Sequence, residues 1–150
     1  MKVTNYLISF LFFFNVCHHD AQNLLVQVFS QNKIHSIELE VVLGSYQVQS
    51  ADGFLSEINE GQSLKLQVNS SNQIHVAKNG IFMGVYDTLF LFQSSHLDYI
   101  RLSPNLSNKT KVKPREYEGD FEISAFHSHI QVLNSIFVES YLEGVLASEA

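Results

Sequence analysis

Ile74-His75-Val76-Ala77-Lys78-Asn79-Gly80-Ile81-Phe82-Met83-Gly84-Val85-Tyr86 is the stretch whose reading decides the fold. Two apolar-rich runs flank Asn79-Gly80, and this dipeptide tolerates the positive φ angles that a two-residue hairpin turn demands. Working outward, the same period of two recurs. Leu64, Leu66 and Val68 alternate with Lys65 and Gln67, and Ile37, Leu39 and Val41 with Glu38 and Glu40. Leu24, Val26 and Val28 alternate with Leu25, Gln27 and Phe29. Successive side chains of a strand point to opposite faces, so each run is expected to bury one face and wet the other. Asp52-Gly53 and Glu60-Gly61 mark further turns, and no amphipathic helical pattern stands out between residues 24 and 102. The expectation is a small antiparallel β domain over residues 22–103.

Composition shifts at Ser103-Pro104. The polar run from Pro104 to Thr110 reads as a connection to a second region, 104–150. Lys109, Lys111, Lys113 and Arg115 then place four of the nine basic residues at a spacing of two. On an extended segment they share one face, which suits either contact with an anionic polymer or a charged edge strand that resists aggregation. Phe121, Ile123 and Ala125 resume the alternation, and Ile130-Gln131-Val132-Leu133 reads as the second arm of a hairpin turning near His127-Ser128-His129. Past Asn134 the period changes: Val138, Leu142 and Val145 stand at i, i+4 and i+7, the stripe of an amphipathic helix. Asn134 or Ser135 is expected to cap it, with Tyr141 and Leu142 as core contacts. The fold class is therefore mainly β with a short C-terminal helix.

Residues 1–21 read as a secretory signal peptide. A short n-region precedes an apolar run from Tyr6 to Phe14 that is too short to span a bilayer. Cleavage after Ala21 leaves a chain without cysteine, hence without disulfides or thiolate metal sites; Cys17 keeps lipidation open as an alternative. The expected location is outside the cytoplasm, in the periplasm or the extracellular cell envelope. The formal net charge is −6. Lys2 and Asp20 cancel, so the remainder is equally acidic, which argues against a nucleic-acid partner. The N-x-S/T matches at Asn69, Asn105 and Asn108 would matter only in a eukaryotic secretory pathway.

The last third of the chain carries a resemblance. Arg115-Glu116-Tyr117-Glu118-Gly119 leads into the apolar strand Phe121–Ile123, and Ile130–Asn134 is an apolar strand ending in Asn. Val138-Glu139-Ser140-Tyr141-Leu142-Glu143-Gly144-Val145 precedes a Ser148-Glu149 pair. Over residues 113–150 this resembles the SpoIID/LytB family, that is, the stage II sporulation protein D and LytB amidase-enhancer proteins. The spaced Asn134, Glu139, Tyr141, Gly144 and Glu149 carry most of the likeness. Val138 replaces the usual Leu, and Glu118 stands where many relatives are basic. The sequence stops at Ala150, before the family's Ala/Gln/Arg-rich helix, so the resemblance implies a longer natural protein of which this is the N-terminal portion.

That resemblance implies an α+β domain beginning at residue 104 and a role in peptidoglycan remodelling. The partners implied are peptidoglycan glycan strands and a cell-wall amidase, with no small-molecule cofactor. One activity it implies is lytic transglycosylation, with Glu149 as the catalytic acid. A single carboxyl would protonate the glycosidic oxygen and then help the sugar's own C6 hydroxyl attack C1. Such an acid needs apolar, partly buried surroundings that raise its pKa. The other activity implied is stimulation of an amidase. Two alternatives are a non-catalytic envelope binding module and a structural partner that completes its sheet with another chain.

Other residues carry weaker readings. Glu139 and Glu143 share a helix face and read as solvated. His127 and His129 could face one side as ligands, but no third ligand stands nearby in sequence, and His18-His19 falls in the signal segment. No metal is expected.

Overall fold

A computed structural model describes residues 22–106 and 112–149, the last three by backbone alone. The signal-like segment with Cys17, His18 and His19, and the basic residues Lys109 and Lys111, lie outside the described residues.

Twelve strands and one helix follow in order: β1 (Asn23–Val28), β2 (Ile34–Leu43), β3 (Ser45–Ser50), β4 (Gly53–Asn59), β5 (Ser63–Val68), β6 (Ile74–Lys78), β7 (Ile81–Tyr86), β8 (Thr88–Gln93), β9 (Tyr99–Leu106), β10 (Arg115–Tyr117), β11 (Asp120–Phe126), β12 (His129–Phe137) and α1 (Val138–Glu149). The protein is mainly antiparallel β with a short C-terminal helix, and its sheet is curled. Two ribbons compose it. One runs β4-β3-β8-β11-β12-β1 and the other β10-β9-β2-β5-β6-β7; they join in register where Ile34 of β2 meets Ile130 of β12.

The alternating runs bury one face as their spacing predicts. Ile37, Leu39 and Val41 of β2, Leu64 and Leu66 of β5, and Ile123 and Val132 of β11 and β12 belong to one core. Burying each such side chain is worth roughly 1.5–3 kcal/mol. Tyr46 lies fully inside, and its hydroxyl donates to Asp98 O at 3.0 Å. Burial, with the Asp98 charge adding to it, pushes its pKa far up, so the phenol stays neutral. Gly44 (φ +78°) is needed because a Cβ there would run into the Asp98 carboxylate.

Three expectations fail here, each for a tertiary reason. First, no connection begins at Pro104. β9 runs through it to Leu106, and Pro104 is buried opposite Ile37. β10 covers only Ile100 to Leu102 on the other side of β9, so Pro104 has one described strand neighbour and its missing N–H is tolerated there. Strands from both sides of residue 103 pair with each other, β11 with β8 and β12 with β1, and they share the core.

Second, Asn134 does not cap a helix. It sits inside β12, 3% exposed, and its Nδ2 donates to Glu118 O at 2.9 Å and Asp120 O at 3.2 Å. Pairing with β11 and β1 on both sides carries β12 on to Phe137. The helix starts instead where Val138 N donates to Gln22 O. Third, Tyr141, Leu142 and Val145 are 39%, 51% and 39% exposed, so the helix stripe does not enter the core. β1 is an edge strand, and Leu24 and Leu25 are 37% and 64% exposed. Among the described residues no helix is long and apolar enough to cross a membrane.

Candidate functional site

The strands β9 and β10, the end of β12 and the helix α1 line a shallow, open groove of about 680 Å³. Its formation follows from the segment Arg115–Asp120. β10 is held to β9 in register, Glu116 opposite Arg101 and Tyr117 opposite Ile100. Arg101 stands opposite Glu40 on its other side. Its guanidinium donates to Glu40 Oε2 at 2.9 Å and to Glu116 Oε1 at 2.7 Å, so one cation ties three strands together. These hydrogen bonds hold its pKa further up. The chain then turns through Gly119 (φ +95°), where a Cβ would run into Ser135 O. Gln93 Oε1 accepts from Gly119 N, and Asn134 holds the carbonyls on either side of the turn.

This turn aims Arg115, Tyr117 and Glu118 at α1, which presents Ser140, Tyr141, Glu143 and Gly144 from the opposite wall. Tyr99, 36% exposed, also lines the groove. Its pKa is raised by the Glu118 carboxylate beside it, then by burial and a hydrogen bond to Glu118, with Glu143 adding to the effect. Tyr117 is pushed up by burial, and the hydrogen bond and charge of Arg115 oppose this. Both phenols therefore remain O–H donors at neutral pH. Three tyrosines, one guanidinium and three glutamates (Glu116, Glu118 and Glu143) line one concavity, the composition of a site that packs an amphipathic ligand and fixes it by hydrogen bonds.

The residues of the sequence motif separate into three groups. Arg115, Tyr117, Tyr141 and Gly144 meet in the groove. Asn134 and Gly119 lie behind it and shape its wall. Glu139 is exposed and does not line it, while Glu143, on the same helix face, does. Glu149 is the last residue of α1, and its side chain lies outside the described residues. Tyr99 carried no motif: only the β9–β10 pairing brings it to this place.

His127 and His129 do not form a joint ligand face. His127 is a turn residue whose ring packs edge-on against Phe126 at 4.2 Å, whereas His129 opens β12 and faces His35. Among the described residues no group of three or more His, Cys, Asp or Glu side chains could hold a metal ion. Lys113 and Arg115 are exposed, but only Arg115 is in a strand, so a basic strand face is not formed by the described residues.

The chain matches no protein-family model, no curated protein and no solved structure.

Proposed function

We propose that this is an exported cell-envelope protein of peptidoglycan remodelling, and that the groove between β10 and α1 binds a glycan strand. The observation that carries the reading is the convergence of Arg115, Tyr117, Tyr141 and Gly144, separated by up to 29 positions, on one groove that also holds Tyr99 and Glu118. The flat C–H face of a sugar packs on tyrosine rings, and its hydroxyls accept from O–H and guanidinium donors while donating to carboxylates. In this reading Glu149 is the acid that protonates the glycosidic oxygen. An acid in that role needs apolar, partly buried surroundings, and the described part of α1 before it, Tyr141, Glu143 and Val145, is exposed.

The openness favours a second reading, a non-catalytic binding module that delivers glycan to a wall amidase. Binding needs the tyrosines and Arg115; cleavage needs an enclosed acid as well.

Incubating the full chain with purified peptidoglycan tests both readings. Co-sedimentation is expected, weakened about tenfold by Tyr117→Ala or Tyr141→Ala, the loss of roughly 1.4 kcal/mol each. Anhydro-muropeptides that disappear in Glu149→Gln support cleavage. Binding without products, but with faster turnover by an added wall amidase, supports the module. A chain that neither sediments with peptidoglycan nor alters an amidase overturns the assignment.

A further inference from the structure

The junction of the two ribbons holds a second feature, independent of the groove. Ile34 of β2 and Ile130 of β12 are paired antiparallel, and the residues next to them, His35 and His129, come together beside that pair, where β2 carries a register irregularity between Ile34 and Ser36. The two imidazole rings lie with centroids 4.9 Å apart and planes inclined by 39°. His129 Nδ1 lies 2.6 Å from His127 O. A carbonyl oxygen only accepts, so this nitrogen carries the proton and the neutral ring keeps its lone pair on Nε2. Metal-ligating histidines are oriented in this way, one ring nitrogen donating to a backbone carbonyl while the other binds.

We propose that His35 and His129 form a two-imidazole site for a borderline divalent transition ion such as Zn²⁺, Ni²⁺ or Cu²⁺, with water completing the coordination. A ring bound at about 2.0–2.1 Å puts its centroid roughly 3.2 Å from the ion. Two such rings at cis angles of about 90–110° have centroids about 4.5–5.2 Å apart, a range that contains the observed separation. Both rings are only half-buried, which leaves the ion a path from solvent. The site spans the Ile34–Ile130 junction, so a bound ion ties one ribbon to the other and stabilises the folded chain.

Titration of the untagged full chain with the chlorides of Zn²⁺, Ni²⁺, Cu²⁺ and Mg²⁺ tests this, with binding followed by calorimetry and stability by thermal melting. Imidazole donors select the three transition ions, so saturable binding with Cu²⁺ tightest and none by Mg²⁺ is expected. At roughly ten times Kd the folded-to-unfolded ratio rises about elevenfold, an increase in midpoint of about 4 °C. His35→Gln and His129→Gln each abolish that rise. His127→Asn, His75→Gln and the double substitution His18→Ala/His19→Ala retain it. Trace Cu²⁺ broadens the His35 and His129 ring-proton signals before those of His75 and His96. A midpoint insensitive to all three transition ions, or a rise that survives both His35→Gln and His129→Gln, overturns the proposal.

Discussion

Two tight turns in this protein have nearly the same backbone and opposite origins. Asn79-Gly80 joins β6 to β7 with φ angles of 47° and 82°; His127-Ser128 joins β11 to β12 with φ angles of 49° and 63°. The first uses residues that enter the left-handed region cheaply. The second uses two that do not, at a cost of about 1–2 kcal/mol each. What the second turn lacks in local preference it receives from elsewhere. Asn72, 56 positions before Ser128, accepts from Ser128 N at 2.8 Å, and its Nδ2 donates to Ala125 O at 3.2 Å. Asn72 is itself held at φ 59° in the β5–β6 turn, where Asn69 Oδ1 accepts from Ser71 N and Gln73 N. A turn with the right residues is a local fact; a turn with the wrong ones needs a brace from another strand pair.

The comparison breaks most sharply at the brace. Asn72→Ala removes both hydrogen bonds and puts alanine in the left-handed region, and should destabilise the protein by about 2 kcal/mol in urea unfolding. His127→Asn with Ser128→Gly gives the second turn the residue types of the first, and should stabilise by about 1–2 kcal/mol. In that background Asn72→Ala should cost about 1 kcal/mol less, a coupling readable from the double-mutant cycle. Gly80→Ala meets no neighbouring atom, so its cost is conformational only, about 1 kcal/mol. Smallest is Asn79→Gly, which keeps the turn but loses the bond from Ser63 N to Asn79 Oδ1, 3.0 Å long, worth about 0.5 kcal/mol at this exposed place.

The same contrast explains what could be read in advance. The hairpins at Asp52-Gly53 and Asn79-Gly80, and the alternation of β2, β5 and β11, were legible because turn chemistry and strand period are properties of adjacent residues. The hairpin near His127 was legible from its flanking strands alone, since nothing in its own residues requires it. Asn134 was misread as a helix cap because Asn at the end of an apolar run has two uses, and only the neighbouring Glu118–Asp120 turn selects between them. In the groove, the motif residues were visible as a motif. Their meeting was not, and neither was Tyr99, which enters through the register of β9 against β10.

By itself, then, the sequence determined the runs that become β1, β2, β5, β6, β7, β11 and β12, the helix near residues 138–149 and several places where the chain reverses, because each depends on interactions within a few residues. Tertiary structure alone decided which strands become neighbours: that β1 pairs with β12, that Pro104 lies in a strand, that Arg101 meets Glu40 and Glu116, and that His35 meets His129. The physical reason is that pairing between distant segments is chosen by how all their apolar faces close over one core, a condition that no short window of residues contains.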